Sequence, residues 1–332
     1  MSELIKLEDV KLKGVGDANL AKLKKAGITS LNAIAILTSV ELVSYTGMGI
    51  ETAQKTITQA RDIISPGFIT ATEVQEMRIL TPPLDTGSSE LNRILGGGVH
   101  PAAINEFIGE FGSGKSQIAL TAMVECAANG GKVIDVDTEG THNPSRLSQI
   151  AVARGYDPKI VLENIIMARA YNAEHLAILV NELSSQVVKH EAKLVVVDSI
   201  ISHFRGEYIG LGMLAERQQK LASVVHMMTR ISEGFRIPVI VTNQVQTNIG
   251  KMFGDPNQPA GGNIMAHAGT YRIFLRKGRL DKETGNQTVL ASVIDSAELP
   301  QDKTRIMLSV AGVVDEDGSF PTQVTLEEVL DE

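Results

Sequence analysis

One short stretch constrains the fold of this chain more than any other: residues 109–117 read GEFGSGKSQ. They fit the pattern G-x-x-x-x-G-K-[ST], in which glycines allow backbone N–H groups to face phosphate oxygens. The flanks agree with the pattern, because an apolar strand is predicted before it at 104–110 and a helix after it at 115–129. The sequence therefore predicts a strand–loop–helix unit that binds a nucleoside triphosphate.

From about residue 85 onward, apolar stretches of strand length alternate with amphipathic helical stretches. Helices are predicted at 173–190 and from Leu214 onward. This alternation predicts an α/β fold whose mostly parallel sheet is covered on both faces. With 332 residues, 43% of them apolar, the chain is long enough for one large domain and a small one. The further strands are predicted at 131–140, 164–170, 193–199, 237–245 and 270–278, and near 288–294 and 305–310.

Residues 1–60 are predicted to form a small all-α domain, because their apolar residues recur at helical spacing. Two glycine turns interrupt them, KGVGDA at 13–18 and TGMGIE at 46–51. Two interpretations are open. The glycines either only end the helices of a small bundle, or they form helix-hairpin-helix turns that present backbone N–H groups to a phosphate.

Residues 61–84 are predicted to join this domain to a core at 85–332, since Pro66-Gly67 and Pro82-Pro83 punctuate them. Phe68 is an isolated aromatic residue in this joint. The local pattern favours a side chain that packs within its own domain. The alternative is that Phe68 and Ala71 insert into a neighbouring subunit by adding an edge strand.

Three polar residues are predicted to act on the phosphates and on a metal ion. Lys115 would reach the β- and γ-phosphates, and Ser116 would hold Mg²⁺. Asp198 ends the apolar stretch LVVVDS and would help to anchor the same ion through water. A carboxylate at the end of a buried strand is badly placed unless such a cation awaits it.

Two more strand ends carry candidate catalytic groups. Glu139, in DTEG, could orient or deprotonate an attacking water, and Asp137 competes with it for that role. Gln244, in TNQV, could sense the γ-phosphate through its amide or could simply cap its strand. The pattern alone does not decide between these alternatives.

The composition narrows the class of protein further. Cys126 is the only cysteine, so an internal disulfide and a cysteine metal cluster are excluded. The net charge of −8 does not by itself favour a nucleic-acid partner. No signal peptide or membrane-spanning stretch is predicted, and we expect a soluble cytoplasmic protein. Residues 247–269 have no periodicity and contain five glycines, which is typical of a functional loop.

These motifs, in this order, resemble those of the archaeal RadA recombinases, which belong to the RecA-like strand-exchange ATPases. The resemblance covers almost the whole chain. Its most specific pieces are GEFGSGKSQ, DTEGT, VVVDSIISHFR, LAERQQKL, VTNQVQ, FGDP, PAGGNIMAHA and YRIFLRKG. It implies a DNA-dependent ATPase that forms a helical filament on single-stranded DNA, pairs that strand with a homologous duplex and exchanges strands in DNA repair. Residues 1–60 then match a helix-hairpin-helix domain that binds duplex DNA.

The resemblance also implies roles for individual residues. Glu139, Gln244 and Lys115 match catalytic positions, Asp198 and Ser116 match the Mg²⁺ site, and Phe68 and Ala71 match a polymerisation motif that inserts into the next core. This reverses the local interpretation of Phe68. ATP would lie at a subunit interface, with Asp295 and Pro300 in a cap supplied by the neighbour. The implied ATP contacts are Gly109, Glu110, Phe111, Gly112, Ser113, Gly114, Lys115, Ser116, Gln117, Arg146, His267, Asp295 and Pro300.

Two segments match DNA-binding loops of that family, 202–214 and 247–266. Glycines allow such loops to approach a nucleic-acid backbone, and arginines can meet its phosphates. Basic residues at 276, 277 and 279 add local positive charge that offsets the acidic total. The implied DNA-binding residues are Arg205, Arg217, Ile249, Met252, Phe253, Gly261 and Gly262.

The sequence departs from the family pattern at several positions. His142 and Asn143 stand where the family usually has Phe and Arg, and Leu211 replaces a usual arginine in the first DNA loop. Asp135 places a charge on a strand that is normally apolar or aromatic there, and Ala297 replaces a proline. Losing one phosphate contact weakens DNA binding. An alternative function is therefore a recombination mediator or filament protein that binds ATP and DNA but exchanges strands weakly.

Overall fold

The computed structural model describes residues 4–64, 67–247 and 257–321. The larger part of the chain is built on a mixed sheet, with helices packed against it. None of the helices in the described ranges is long and apolar enough to cross a membrane. The strands are β1 Ile104–Gly109, β2 Lys132–Asp137, β3 Ile165–Arg169, β4 Ala192–Asp198, β5 Val239–Thr247, β6 Asn257–Pro259, β7 Tyr271–Leu280, β8 Gln287–Ser296, β9 Lys303–Ser309 and β10 Gly312–Asp315.

The helices of the described residues alternate with these strands after a helical N-terminal part. They are α1 Asp17–Lys25, α2 Leu31–Ala35, α3 Ser39–Thr46, α4 Ile50–Ile64, α5 Ala71–Ile79, α6 Ser89–Ile94, α7 Lys115–Ala128, α8 Pro144–Ala153, α9 Pro158–Glu163, α10 Ala173–His190, α11 Ser202–Glu207, α12 Leu214–Phe235 and α13 Gly262–Ala268. Short 3₁₀ turns lie at Leu7–Asp9 and Leu211–Met213.

The sheet runs in the order β10-β9-β8-β7-β1-β5-β4-β2-β3, and short β6 pairs with β5. The strands from β7 to β3 along this order are parallel, whereas β8, β9 and β10 add an antiparallel extension beyond β7. The predicted mostly parallel α/β sheet is thus confirmed. Because the parallel strands end at one edge, the loops after β1, β2, β4 and β5 converge there.

The sheet has an apolar core on each face, and β4 shows how the sequence produces both. Val195 and Val197 pack into the core that includes α10 and α12, whereas Leu194 and Val196 point into the core that includes α7 and α8. Successive side chains of a strand alternate between faces, so a strand buried on both sides is apolar throughout. The apolar run at 193–199 is therefore explained by its central position.

The N-terminal part consists of α1 to α4, and their ends follow local capping signals. Ser30 accepts a hydrogen bond from Ala33 N at the start of α2, and Thr38 forms a reciprocal capping box with Glu41 at the start of α3. Gly47 ends α3 with a φ of 63°. The last helix, α4, continues to Ile64 and so extends past residue 60.

The predicted joint at 61–84 contains a helix, α5, in addition to the end of α4. Thr70 accepts from Glu73 N, and the Glu73 carboxylate accepts from Thr70 N at 2.7 Å, which is a second capping box. The aperiodic segment 247–269 likewise contains α13, and its N-cap Gly261 has a φ of 88°. In both places glycine and proline mark the boundary of a short helix and do not exclude one.

Candidate nucleotide site and its neighbouring loops

The predicted phosphate loop joins the end of β1 to the start of α7. A Cβ on Gly109 would lie 2.4 Å from Ser113 Oγ and 2.6 Å from the Leu275 carbonyl oxygen, so only glycine fits. Gly112 and Gly114 have φ values of 70° and 95°, which other residues rarely adopt. The backbone of this loop therefore requires its glycines, as the pattern predicts.

Lys115, the first residue of α7, is almost fully buried within the loop. Its ammonium donates to the carbonyl oxygens of Gly109 at 3.0 Å and Glu110 at 2.8 Å. Burial lowers the pKa of this lysine, the carboxylates of Asp198 and Glu139 partly counter that effect, and the nearby charge of Lys277 adds to it. A phosphate anion bound in the loop would raise the pKa, since an opposite charge favours the ammonium form.

Lys277 of β7 is an additional cation at this loop. Its ammonium nitrogen lies 3.1 Å from the position that a Cβ on Gly112 would take. From the sequence, Lys277 was expected only to add local positive charge near DNA. The sheet register brings it to the loop, because β7 is a parallel neighbour of β1 with Leu275 opposite Gly109, and a register of this kind cannot be read from the sequence.

Asp198 ends β4 beside the start of α7 and is 3% exposed. Its carboxylate accepts hydrogen bonds from the side chains of Ser116 and Thr242, and one oxygen lies 2.9 Å from His142 Nε2. These donors outweigh the effect of burial, so the pKa of Asp198 is lowered. The predicted pair Ser116 and Asp198 is thus in contact, with the carboxylate ionised, as an Mg²⁺ site requires.

His142 lies between two buried carboxylates. Its Nδ1 is 2.8 Å from Asp135 Oδ2, and its Nε2 is 2.9 Å from Asp198 Oδ2. Burial disfavours a charged imidazole, yet the hydrogen bonds to both carboxylates raise the pKa of His142 to about 10. A doubly protonated ring can donate to both partners, and its two nitrogens lie at hydrogen-bond distance from both carboxylates. Asp135 and His142 are both unusual in the sequence, but no sequence pattern predicts their contact.

Glu139 and Asp137 occupy different environments, which separates the two candidates for activating water. Asp137 is buried, and its carboxylate accepts from the backbone N–H groups of Glu139, Gly140 and His142 at 2.9, 2.6 and 3.2 Å. It shapes the loop after β2. Glu139 is exposed, and its Oε1 accepts from Ser199 Oγ at 3.0 Å and Gln244 Nε2 at 2.9 Å. The geometry therefore favours Glu139 over Asp137 as the carboxylate that activates water.

Gln244 on β5 connects Glu139 to one of the predicted DNA segments. Its amide nitrogen donates to Glu139, and its amide oxygen accepts from Arg205 Nη1 at 3.0 Å. The Gln244 carbonyl oxygen also accepts from Ala260 N at 2.9 Å, next to the N-cap of α13. Gln244 thus touches α11 and the chain segment that precedes α13.

Arg146 of α8 lies beside the helix that follows the phosphate loop. It donates to Gln117 Oε1 at 3.0 and 2.7 Å and to the carbonyl oxygens of Ser309 and Val310 at 2.7 and 2.8 Å. It therefore ties α8 to α7 and to the turn between β9 and β10.

The chain matches the family model described as Rad51 over residues 77–316. This chain belongs to the Rad51 family. The match begins within α5, covers well over half of the chain and includes every element from α6 to β10. Proteins of the Rad51 family are RecA-like recombinases that use ATP with Mg²⁺, bind DNA and oligomerise into filaments. The helices α1 to α4 lie outside the match.

Asp295, one of the two predicted cap residues, is not close to the phosphate loop of its own chain in this Rad51-family protein. Asp295 of β8 pairs with Arg272, which in turn pairs with Glu106 in the middle of β1. Asp295 is therefore level with Glu106, about 10 Å along the strand from Gly109. Pro300 is exposed in the loop between β8 and β9.

The structure describes some of the predicted DNA-binding residues and not others. Arg205 is exposed on α11, and Arg217 lies half-buried on α12. Gly261 and Gly262 begin α13 with φ values of 88° and 59°, and His267 lies on the same helix. The predicted contacts Ile249, Met252 and Phe253 fall outside the described residues.

Phe68 is completely exposed, as the predicted polymerisation motif would require. Its side chain is as accessible as in an extended peptide, and Ala71, the first residue of α5, is also exposed. At the far end of the sheet, β3 pairs only with β2 within the described ranges, so it is an edge strand. Apolar side chains on β3, just after it and on the adjoining α9 are exposed as well: Met167, Tyr171 and Ile160.

Proposed function

We propose that this chain is a DNA-dependent ATPase of homologous recombination, which assembles on single-stranded DNA and exchanges strands with a homologous duplex. One observation carries the proposal. Gln244 is hydrogen-bonded to Glu139 on one side and to Arg205 on the other, so a candidate catalytic carboxylate and a candidate DNA loop share one amide. A rotation of this amide would change both contacts together, because its oxygen and its nitrogen belong to one planar group.

The residues around the loop after β1 fit MgATP. Ser113 Oγ is buried with no hydrogen-bond partner among the described residues, and Lys115 bonds only carbonyl oxygens of its own loop. Lys115 and Lys277 would hold the terminal phosphates, and Ser116 with Asp198 would hold Mg²⁺. An ion held there would supply positive charge to offset the charge that develops on the phosphate oxygens. The glycines at 109, 112 and 114 keep the loop backbone open for this contact.

Glu139 is the residue that we assign to water activation. It is exposed toward the edge where the phosphate loop lies, and Ser199 and Gln244 hold one of its oxygens in place. The other oxygen is left to accept a proton from water. Gln244 would turn its amide toward the γ-phosphate when ATP is bound, which releases Arg205 toward a DNA phosphate.

The exposed Phe68 and the edge of β3 support self-assembly. Among the described residues Phe68 is fully exposed and β3 pairs on one side only, so an apolar side chain and a strand edge with exposed apolar neighbours offer complementary surfaces. In this arrangement Phe68 and Ala71 of one copy bind beside β3 of the next. Asp295 and Pro300 would then reach the ATP of the adjacent copy, which agrees with the distance of Asp295 from its own loop.

The N-terminal helices are proposed to bind duplex DNA as a helix-hairpin-helix unit. The turn between α3 and α4 reads Gly47-Met48-Gly49, and α4 begins immediately afterwards. Backbone N–H groups at the start of α4 are therefore available to a phosphate.

The proposal is tested by measuring ATP turnover with and without single-stranded DNA at low salt. We expect stimulation by DNA, and we expect Glu139→Gln to lower turnover by about 10²- to 10⁴-fold while ATP still binds. Glu163→Gln, an exposed acid at the end of α9, is the matched control. Turnover that does not respond to DNA would refute the proposal. Stimulated turnover without joint-molecule formation would instead favour the mediator alternative.

A further inference from the structure

The cluster of Asp135, His142 and Asp198 is the least expected feature of the core. The three side chains come from β2, from the loop after it and from β4, and their residues are 0%, 7% and 3% exposed. His142 contacts one carboxylate through each ring nitrogen. The sheet register places Asp135 beside Val196, two residues before Asp198, so the ring spans the distance between the two acids.

Stability alone does not account for this cluster. Desolvating an ion pair costs several kcal/mol per ion, and apolar replacements are often neutral or stabilising. Asp135 has one carboxylate oxygen, Oδ1, that is buried without a hydrogen-bond partner, and its other oxygen contacts only His142 in the described part of the chain. Among the described residues, the histidine is therefore the only hydrogen-bond partner of the Asp135 carboxylate, and the histidine extends this contact to Asp198.

The orientation of Asp198 is fixed from several sides. Oδ2 accepts from His142 and Oδ1 accepts from Thr242, while Ser116 donates from the start of α7. Three donors define the plane of the carboxylate as well as its position. Partners of this kind, one step removed from a metal ligand, typically change metal affinity or activity by 10- to 100-fold when they are lost.

We infer that Asp135 and His142 form a positioning pair that orients Asp198 for Mg²⁺. Asp135 fixes the ring through Nδ1, and the ring fixes Asp198 through Nε2. The inference rests on the proposed ATPase function and adds to it a residue pair that holds the metal-anchoring carboxylate. It separates the roles of the two ring nitrogens, because only Nε2 reaches Asp198.

The two nitrogens can be tested separately with two amide side chains. The amide nitrogen of glutamine lies near the position of histidine Nε2, and that of asparagine lies near Nδ1. We therefore compare His142→Gln with His142→Asn, each combined with Asp135→Asn so that neither variant buries an unpaired carboxylate. Only the glutamine variant retains a donor to Asp198.

The main measurement is the Mg²⁺ concentration that half-saturates binding of a fluorescent ATP analogue, with thermal unfolding measured in parallel. The asparagine variant should raise this concentration by about 10- to 100-fold, whereas the glutamine variant should stay within about threefold of wild type. Binding of the analogue in EDTA should be the same in both. Equal Mg²⁺ requirements for the two variants would overturn the inference, because a purely structural role would not distinguish them.

Failure of the inference is separable from failure of the proposed function. If the wild-type chain itself does not bind the ATP analogue in an Mg²⁺-dependent way, the proposed ATPase is wrong. If wild type binds normally and the two variants agree, only the positioning role is wrong. Should either amide variant unfold, Asp135→Val with His142→Phe serves in its place, and it must raise the Mg²⁺ requirement by about tenfold or more for the inference to stand.

Discussion

Replacing Glu41 by glutamine should weaken the attachment of the N-terminal helices to the core. Arg230 of α12 donates to both oxygens of the Glu41 carboxylate, at 2.7 and 2.8 Å, and also to the Ile36 carbonyl oxygen at 2.9 Å. Glutamine retains an oxygen for the capping box with Thr38, since Gln is accepted at this position. The substitution therefore removes the charge while it preserves the start of α3.

The size of the expected loss in stability follows from the pKa of the Glu41 carboxyl group. Its hydrogen bond to Arg230 lowers the pKa of Glu41 from 4.5 to about 2. A difference of that size corresponds to about 3 kcal/mol at most. The side chains of Arg230 and Glu41 are 17% and 29% exposed, so solvent screening reduces the expected contribution to about 1–2 kcal/mol. The free energy of opening α2 and α3 should fall by that amount, which is about tenfold in protection from hydrogen exchange.

The stabilisation that the Glu41 carboxylate provides depends on pH in a defined way. A carboxyl group whose pKa is lowered on folding stabilises the folded state fully above its unfolded pKa, and this contribution is lost as the pH falls from 4.5 toward 2. Hydrogen exchange of peptides from residues 31–46 should therefore differ strongly between wild type and Glu41→Gln at pH 7. The difference should shrink by about two fifths at pH 3.5. Equal protection of the two proteins at pH 7, or a difference that does not decrease in acid, would refute the reasoning.

Three further outcomes are expected. Phe68→Glu should abolish assembly on single-stranded DNA with ATP, as measured by light scattering, without changing the melting temperature; Val40→Glu, which replaces another exposed apolar residue, should assemble normally. Arg205→Gln should lower the salt dependence of DNA binding by about one unit of slope, while Arg205→Lys should retain it. Arg154→Met should cost about 3–5 kcal/mol in urea unfolding, because the buried Glu125 carboxylate, 2.5 Å from Arg154 Nη1, loses its cationic partner. Adding Glu125→Gln should recover much of that loss, and no recovery would contradict the pairing.

The main elements of the core could be predicted because each has a strong local signal. The apolar run at 193–199 corresponds to β4 at Ala192–Asp198, and the helix predicted at 173–190 has the same bounds as α10. The proximity of Lys115, Ser116 and Asp198 also followed, since parallel strands end at one edge. These inferences required only periodicity and one loop pattern.

Short elements, and contacts between residues far apart in the sequence, were harder to predict. β10 has four residues and no pattern of its own, and α5 was obscured by the prolines around it although Thr70 and Glu73 carry a capping-box signal. The contact between His142 and Asp198 joins residues 56 positions apart. Each of Asp135 and His142 is unusual by itself, but only the sheet register brings them to the same place, and register is a tertiary property.

The location of Phe68 and β3 on different parts of one chain has a consequence for any fibre built from them. Contact between unlike surfaces is not self-limiting in the way a two-fold dimer is, so it continues until it closes into a ring or runs on as a helix. At one terminus of such a fibre the last subunit offers a bare strand, and at the other it offers a bare aromatic side chain. The two termini are chemically unlike, so subunits join and leave them at unequal rates, and the fibre acquires an intrinsic direction.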